Sequence, residues 1–331
     1  MRWAIRRSDD SSAGTDADVA ASEAAQGPQP PSHPLVHVVD DIPELGSDTR
    51  PVLVHALDGF LSAGSAPRLA AEHLGGTGAR VVASFDIDAL YDYRARRPGL
   101  VFDQDHYSGY EGPRLTVRLL EDRGGLPYLL LAGPEPDFGW EQFAAAVRAL
   151  VERFGVELTV GMGAVPMGVP HTRPTMITAH ATRKDLIDRP NVWKGQLMVP
   201  ASAQSMLEFR LGQWGHDAMG YVAHVPHYLS QVEFPAAAVA LVEAVTARTG
   251  LDIDVEPLRD AAAASVLEID KQISDQDGAE VLAGLEQQYD SFTQGAGDSL
   301  LAEGGPLPSA DELGRQVEQF LAGLDRRDDR D

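Results

Sequence analysis

The amino-acid sequence predicts an α/β fold, a three-layer sandwich in which helices cover both faces of a mostly parallel central sheet. Strand-like and helix-like segments alternate between residues 51 and 250, which is the order that this architecture requires. Arg123-Gly124-Gly125 separates two apolar stretches and predicts one antiparallel pair within the sheet. Beyond residue 250, apolar residues recur at spacings of three and four, which predicts a C-terminal helical hairpin.

The predicted strands are short apolar or alternating stretches bounded by polar or glycine-rich sequence. They are Pro51–His55, Arg80–Phe85, Leu115–Glu121, Pro127–Ala132, Val156–Met162 and Ala218–Val225. The predicted core helices are amphipathic, and most are followed by a glycine, a common helix terminator. They are Ala66–Leu74, Phe138–Phe154, Ser202–Trp214 and Ala236–Thr249, with Ser202 as an N-cap.

Composition divides the chain into five parts. The first is rich in Ser, Ala, Asp, Gln and Pro, can bury little apolar area and is expected to be disordered. The last is a short amphipathic segment that a capping box at Ser309–Glu312 introduces. The predicted parts are a leader at 1–33, an α/β core at 34–250, the helical hairpin at 251–292, a linker at 293–308 and a helix at 309–325.

Charge and composition exclude several classes of function. The formal net charge is −23, and the residues from Leu251 onward hold 20 acidic and 6 basic side chains, so phosphate backbones and anionic lipids would repel the chain. No apolar stretch approaches the roughly 18 residues that span a bilayer. With no cysteine and no apolar signal region at the start, we expect a cytoplasmic protein without nucleic-acid or membrane partners.

Polar or glycine-rich sequence follows five of the predicted strands. Because the carboxyl ends of parallel strands share one edge of a sheet, these segments are expected to meet and form a ligand or partner site. They are His55–Ser65, Asp86–Pro98, Gly133–Asp137, Gly163–Pro174 and His224–Tyr228.

Each of these segments also permits a purely structural interpretation. The backbone N–H groups between Gly59 and Ser65 can hold an anion, or the glycines can serve close helix–strand packing. Asp86, Asp88 and Asp92 can bind a divalent cation, but the arginines that follow them favour internal ion pairs. His171 with Arg173 can form an acid/base and anion clamp, whereas the neighbouring prolines indicate only a stiff loop.

The sequence lacks the established cofactor and catalytic motifs. Neither a Walker loop nor a GxGxxG fingerprint is present, and Gly161-Met-Gly163 has no central serine for a nucleophile elbow. His224 and His227 stand three residues apart without a carboxylate motif to complete a metal site. We therefore predict no cofactor and no metal.

Several of these motifs together resemble the proteasome assembly chaperone 2 family, and its actinobacterial branch in particular. The resemblance covers roughly residues 35–325. The motifs are Leu57-Asp-Gly-Phe60 with Ala63-Gly64, Asp92-Tyr-Arg-Ala-Arg-Arg-Pro98, Gly133-Pro-Glu-Pro-Asp137, Val169-Pro-His-Thr-Arg-Pro174, His224-Val-Pro-His-Tyr-Leu229 and Leu307-Pro-Ser-Ala-Asp-Glu312.

The resemblance implies a phosphorylase/hydrolase-like fold, self-association and, for some relatives, assembly of the proteasome core. It implies no reaction. Relatives that dock on proteasome rings tend to end in a hydrophobic residue, a tyrosine and one further residue, whereas this sequence ends in Arg326-Arg-Asp-Asp-Arg-Asp331. A chaperone role would therefore have to use another surface.

The candidate site residues come from these motifs. Candidates for ligand or partner binding are Gly59, Ser62, Ser65, Asp92, Tyr93, Arg94, Arg97, Asp137, Arg173 and His227. Candidates for proton transfer are Asp58, Glu135 and His171.

Three functions remain compatible with the sequence. The first is a non-enzymatic binding or assembly protein that forms homo-oligomers through its C-terminal helices and binds partners such as proteasome subunits. The alternative is a phosphorylase/hydrolase-like enzyme that acts on a small anionic or nucleoside-like substrate, held by the turn at 59–65 and Arg173. The third is a structural oligomer without a ligand.

Overall fold

A computed structural model describes residues 32–41, 50–76, 78–187, 195–275 and 278–294. Its central feature is an eight-stranded sheet in the order β1-β3-β6-β7-β2-β8-β10-β9, accompanied by a separate two-stranded ribbon, β4–β5. The strands are β1 Val36–Val38, β2 Val52–Asp58, β3 Arg80–Phe85, β4 Leu100–Asp103, β5 His106–Tyr110, β6 Thr116–Glu121, β7 Pro127–Pro134, β8 Leu158–Met167, β9 Ile177–Ala181 and β10 Ala218–Pro226.

The middle of the sheet is parallel and its margins are antiparallel. Strands β7, β2, β8 and β10 run in the same direction, and β9 pairs antiparallel with β10. On the other side β6 pairs antiparallel with both β7 and β3, and β1 pairs antiparallel with β3. The mostly parallel sheet is confirmed in that five of its eight strands point in one direction, and so is the hairpin predicted around Gly124-Gly125. Four of the seven strand pairings are antiparallel, of which the sequence predicted one.

Helices cover both faces of the sheet, which confirms the three-layer architecture. The helices are α1 Ala66–Gly75, α2 Trp140–Phe154, α3 Ala203–Gln213, α4 Pro235–Thr249, α5 Glu256–Asp275 and α6 Ala279–Gln294. Helices α1 and α4 pack with even-numbered residues of β2, such as Val54, in one core cluster. Helices α2 and α3 pack with odd-numbered residues, such as Leu53, in the other. The alternation of side chains along each strand produces these two apolar layers.

Local sequence explains where the core helices begin and end. Ser202 precedes α3, and its side chain accepts a hydrogen bond from the Ser205 N–H in a reciprocal capping box. Helix α2 begins at Trp140 rather than at the predicted Phe138, because Gly139 has a φ of 63° that interrupts helical geometry. Gly155 and Gly250, with φ of 61° and 74°, end α2 and α4 in the left-handed conformation.

The strand pattern departs from the prediction in two ways. Strand β8 continues to Met167. Residues 163–166 were expected to form a loop, but they pair with residues 222–225 of β10. Strands β1, β4, β5 and β9 were not predicted. Strand β9 reverses direction to pair with β10, and the ribbon β4–β5 is too exposed to carry an inside–outside alternation.

The C-terminal helices α5 and α6 form the predicted helical hairpin. Leu258 and Ile269 of α5 are buried in the same core cluster as α4. Helix α6 continues to Gln294 and so includes the first two residues of the linker predicted at 293–308. The rest of that linker and the predicted helix at 309–325 lie outside the described residues, as does the leader up to residue 31. Within the described ranges, none of the helices combines the length and the apolar character that a membrane crossing requires.

Candidate functional site

The ends of five strands lie at one edge of the sheet, which we call the strand-end edge. Strands β2, β7, β8 and β10 are parallel. Strand β3 points the same way, because both β3 and β7 are antiparallel to β6. The candidate site residues are Asp58, the last residue of β2, and residues of the segments that follow these five strands. At this edge the candidates contribute to two clusters, one around Glu135 and one around His171.

Glu135 fills the position that the sequence predicted for an anion. Its Oε2 accepts a hydrogen bond from the Phe60 N–H at 2.7 Å, in the turn after β2. Its Oε1 accepts a hydrogen bond from the Ala203 N–H at 2.6 Å, in the first turn of α3. A helix N-terminus carries partial positive charge and stabilises a carboxylate. These two backbone donors are therefore occupied by a side chain of the same protein.

Gly59 permits the turn to approach Glu135 closely. A Cβ atom at this position would lie 2.0 Å from Oε2 and 2.4 Å from Cβ of Glu135. The Gly59 N–H donates to the hydroxyl oxygen of Ser62 at 2.8 Å, so the candidate Ser62 stabilises the turn. Ser65 has a left-handed φ of 50° and precedes α1 without a side-chain capping bond.

Arg96 connects the arginine-rich segment to the Glu135 cluster. Its Nη2 donates to the Glu135 carbonyl at 2.7 Å and to Oδ2 of Asp137 at 2.5 Å. The same Asp137 oxygen accepts a hydrogen bond from the Asp92 N–H at 2.7 Å, and the Arg96 guanidinium lies 4.3 Å from the centre of the Tyr91 ring. Sequence reasoning placed Arg94 and Arg97 in the candidate site instead. Both of those side chains are exposed.

The acidic run before these arginines stabilises local turns. Asp86 accepts a hydrogen bond from the Asp88 N–H at 3.2 Å, and Asp92 accepts one from the Arg94 N–H at 2.9 Å. The Tyr93 hydroxyl donates to Asp88 at 2.6 Å, and this hydrogen bond raises the pKa of Tyr93. No group of three His, Asp or Glu side chains in the described ranges is arranged to hold a metal ion. The predicted ion pair of this segment forms with Asp137 rather than within the run.

His171 is the centre of the second cluster. Its side chain is buried, and its ring nitrogens lie 2.7 Å from the Tyr228 hydroxyl and 2.9 Å from Oδ1 of Asp270 on α5. The His171 N–H also donates to the Tyr228 hydroxyl at 3.0 Å. Burial raises the pKa of Tyr228. Both imidazole nitrogens thus have partners from later segments of the chain.

Arg173 binds two carboxylates of α6. Its Nε and Nη2 donate to the two carboxylate oxygens of Asp290 at 2.9 and 2.8 Å, and its Nη1 donates to Glu286 at 3.1 Å. The arginine lowers the pKa of Asp290. The Thr172 hydroxyl also donates to Glu286. Part of the C-terminal acidity is therefore paired with the loop after β8.

The two histidines near the end of β10 occupy different environments. His224 is buried, its Nε2 lies 2.8 Å from the Thr178 hydroxyl oxygen, and burial lowers its pKa to about 4. His227 is exposed and lines an apolar cavity of about 300 Å³ between residues 227–229 and helices α5 and α6. The cavity includes Ile269, Val281 and Leu285 in its lining.

Sequence reasoning missed the apolar surface at the strand-end edge. The ribbon β4–β5 leaves the edge after β3 and returns there before β6, and its large side chains are exposed. We use the name apolar rim for these side chains and for the exposed ones that follow β2 and β7. Its members, each 52 to 68% exposed, are Phe60, Leu100, Val101, Phe102, Tyr107, Tyr110 and Phe138.

The ribbon and the Ala203 N–H group were both missed, although the sequence contains a signal near each of them. Asp103-Gln104-Asp105 between Val101-Phe102 and His106-Tyr107 is a turn signal that could have indicated the ribbon. The Ala203 N–H gives no side-chain signal, but the N-cap at Ser202 marked the start of α3, where free N–H groups bind carboxylates.

The match to a known protein family covers the same α/β core. The model of the PAC2 family matches residues 56–273, a range that runs from β2 into α5. It therefore includes the Glu135 cluster and the loop that carries His171 and Arg173. No curated protein matches the chain.

Solved structures are also similar over most of the chain. A Mycobacterium tuberculosis protein of unknown function is 45% identical, with 81% of this chain and 95% of that one covered and a TM-score of 0.75. A Corynebacterium glutamicum protein of unknown function is 36% identical, with 78% and 98% covered and a TM-score of 0.74. A proteasome-assembly chaperone homologue from M. tuberculosis is 25% identical, with 67% and 95% covered and a TM-score of 0.63.

Proposed function

Because this chain belongs to the PAC2 family, we propose that it is a non-enzymatic assembly protein of the cytoplasm. In this proposal it self-associates and binds other folded proteins, with proteasome subunits as the first partners to test. A similar structure is that of a proteasome-assembly chaperone homologue, which supports a chaperone-like role.

The apolar rim is the observation that carries this proposal. Seven large apolar or aromatic side chains at one edge are each more than half exposed. Exposed apolar and aromatic side chains of this kind are enriched at protein–protein interfaces. The tyrosines of the ribbon add hydroxyl groups that can bond to a partner's backbone.

The polar groups beside the rim support binding rather than catalysis. Glu135 occupies the Phe60 and Ala203 N–H groups, and Arg173 is bound by Asp290 and Glu286. A catalytic base must reach a substrate proton, but both ring nitrogens of the buried His171 already have partners. The enzymatic alternative, action on a small anionic or nucleoside-like substrate, therefore has less support.

Self-association is proposed to use the helices α5 and α6. Leu267 is 71% exposed and Val281 63% exposed, and the apolar cavity beside His227 opens between these helices. The expected result is an oligomer in size-exclusion chromatography with light scattering, which Leu267→Asp and Val281→Asp convert to monomer. A wild-type monomer at micromolar concentration would remove this part of the proposal.

The partner interaction is tested with purified proteasome subunits and the tagged full-length chain. We expect Phe102→Ser combined with Tyr107→Ser to abolish capture, because these side chains are 60% and 68% exposed and form an aromatic pair with ring centres 5.2 Å apart. The matched control is Leu126→Ser, which changes an exposed leucine in the β6–β7 turn at the opposite edge. Equal capture by both variants would exclude the rim as the binding surface.

A further inference from the structure

A second cavity, of about 370 Å³, lies beside α1 at the strand-end edge. Its floor is a row of small residues that are in register across three strands, with Thr116 on β6 opposite Ala132 on β7 and Ala132 opposite Ala56 on β2. The next row along the same strands contains Arg118, Leu130 and Val54. The small side chains leave space above one row, and the larger side chains of the next row limit that space at one end.

Three arginines and two carboxylates line this cavity. They are Arg68, Arg114, Arg118, Asp58 and Glu72. Arg68 already pairs with Glu72 at 2.7 Å and with Glu233 at 2.5 Å. In contrast, neither Arg114 nor Arg118 has an ion pair with any described residue. The protein has 50 acidic and 27 basic residues. A shortage of carboxylates therefore does not explain why these two arginines lack an ion pair.

The Arg118 guanidinium packs closely against the C-terminus of α1. Its Nη1 lies 2.6 Å from the place of a Cβ atom on Gly75, the last residue of α1, so glycine makes room for the guanidinium. A cation at a helix C-terminus is favourable and accounts for part of this arrangement. However, the buried Nε of Arg118 has no hydrogen-bond partner in the described part of the chain. A buried donor without a partner is costly and is normally satisfied by an acceptor.

We propose that this cavity binds a small molecule that bears a phosphate or carboxylate group. Arg114 and Arg118 would donate to the oxyanion, since guanidinium groups bind planar or tetrahedral oxyanions through several N–H donors. Asp58, exposed where β2 ends, would accept a hydrogen bond from a hydroxyl or amino group of the same molecule. The volume is in the range of small-molecule sites. This site shares no basic residue with the Glu135 and His171 clusters and does not depend on the proposed assembly function.

The test uses the full-length protein and isothermal titration calorimetry with inorganic phosphate, pyrophosphate and succinate at constant ionic strength. We expect saturable one-site binding of a phosphate or a carboxylate probe, and the probe that binds identifies the oxyanion class. Arg114→Gln and Arg118→Gln should each weaken that binding about tenfold or more. The matched control Arg123→Gln changes an exposed arginine in the β6–β7 turn that does not line the cavity, and its affinity should equal that of the wild type.

Two outcomes would overturn the proposal. The first is the absence of saturable binding for all three probes. The second is binding that Arg114→Gln leaves unchanged. Arg114 is exposed, so its variant should fold even if Arg118→Gln does not. Capture of partner proteins by the apolar rim should be the same in Arg114→Gln and wild type, so failure of one proposal can be distinguished from failure of the other.

Discussion

Arg173 binds Asp290 through two parallel hydrogen bonds, although 117 residues separate them in the sequence. The bonds join the loop after β8 to α6, and Thr172 and Glu286 add a further contact between the same two segments. Bidentate arginine–carboxylate pairs are geometrically specific as well as favourable. This pair thus positions the C-terminal helices against the strand-end edge.

Replacement of Arg173 by alanine should release α6. We expect backbone amides of residues 279–294 to exchange with deuterium about tenfold faster or more. In the wild type, local opening of α6 must break the Arg173–Asp290 pair, and in the variant it does not. Hydrogen–deuterium exchange with mass spectrometry measures this. The control is Arg183→Ala, which removes an equally bidentate pair with Asp217 far from α6. Unchanged exchange in α6 for Arg173→Ala would contradict the role assigned to this pair.

Replacement of Glu135 by alanine should destabilise the fold by about 2 to 3 kcal/mol, because two N–H groups lose a charged acceptor. Urea unfolding of Glu135→Ala measures the loss, with Glu121→Ala, an exposed glutamate at the end of β6, as the control. Formate or acetate should restore part of the lost stability by binding the vacated N–H groups. If these carboxylates stabilise wild type and variant equally, the Phe60 and Ala203 N–H groups are not an anion position.

Replacement of Gly59 by alanine should also destabilise the protein, by about 1 to 3 kcal/mol. The new methyl group would overlap with Glu135, whose own Cβ lies only 2.4 Å from its position. Thermal unfolding compares this variant with Gly168→Ala, where an added Cβ meets no atom within 4 Å. Equal melting temperatures for the two variants would show that the turn accommodates the added methyl group without loss of stability.

Buried histidines should make the protein less stable in mild acid. Burial lowers the pKa of His224 from 6.5 to about 4, and burial together with the nearby His180 lowers that of His55 to about 3. Below pH 6.5 the unfolded chain therefore takes up these protons before the folded chain does. Each group should reduce the free energy of unfolding by about 1.4 kcal/mol per pH unit between pH 6.5 and its folded pKa.

The variant His224→Gln tests this linkage, because glutamine can still bond to Thr178 but does not titrate. The free energy of unfolding of the variant should fall less steeply between pH 6.5 and 5 than that of the wild type. His106→Gln, at an exposed position in the ribbon, should leave the slope unchanged. Parallel curves for wild type and His224→Gln would mean that His224 does not contribute to the acid sensitivity.

Local sequence patterns determined the layers of this fold. Strand and helix periodicities depend on neighbouring residues, so they predicted the alternation, the hairpin at Gly124-Gly125 and the α3 N-cap at Ser202. The parallel order then placed the segments after β2, β3, β7, β8 and β10 at one edge. The margins were harder to predict. Strand β9 is defined by its pairing with β10, which comes much later in the sequence. The ribbon β4–β5 is exposed on both sides, so its sequence shows no alternation of buried and exposed residues.

Only the tertiary structure decided which polar groups meet. Glu135 binds N–H groups that are 75 and 68 residues away. Every residue except proline has a backbone N–H, so residue identity does not indicate which N–H group binds a carboxylate. Arg96 rather than Arg94 or Arg97 enters the Glu135 cluster, because the turn directs one of three chemically identical side chains inward. The row of Thr116, Ala132 and Ala56 likewise arises from strand register, which hydrogen bonds between distant segments set and periodicity along the chain does not.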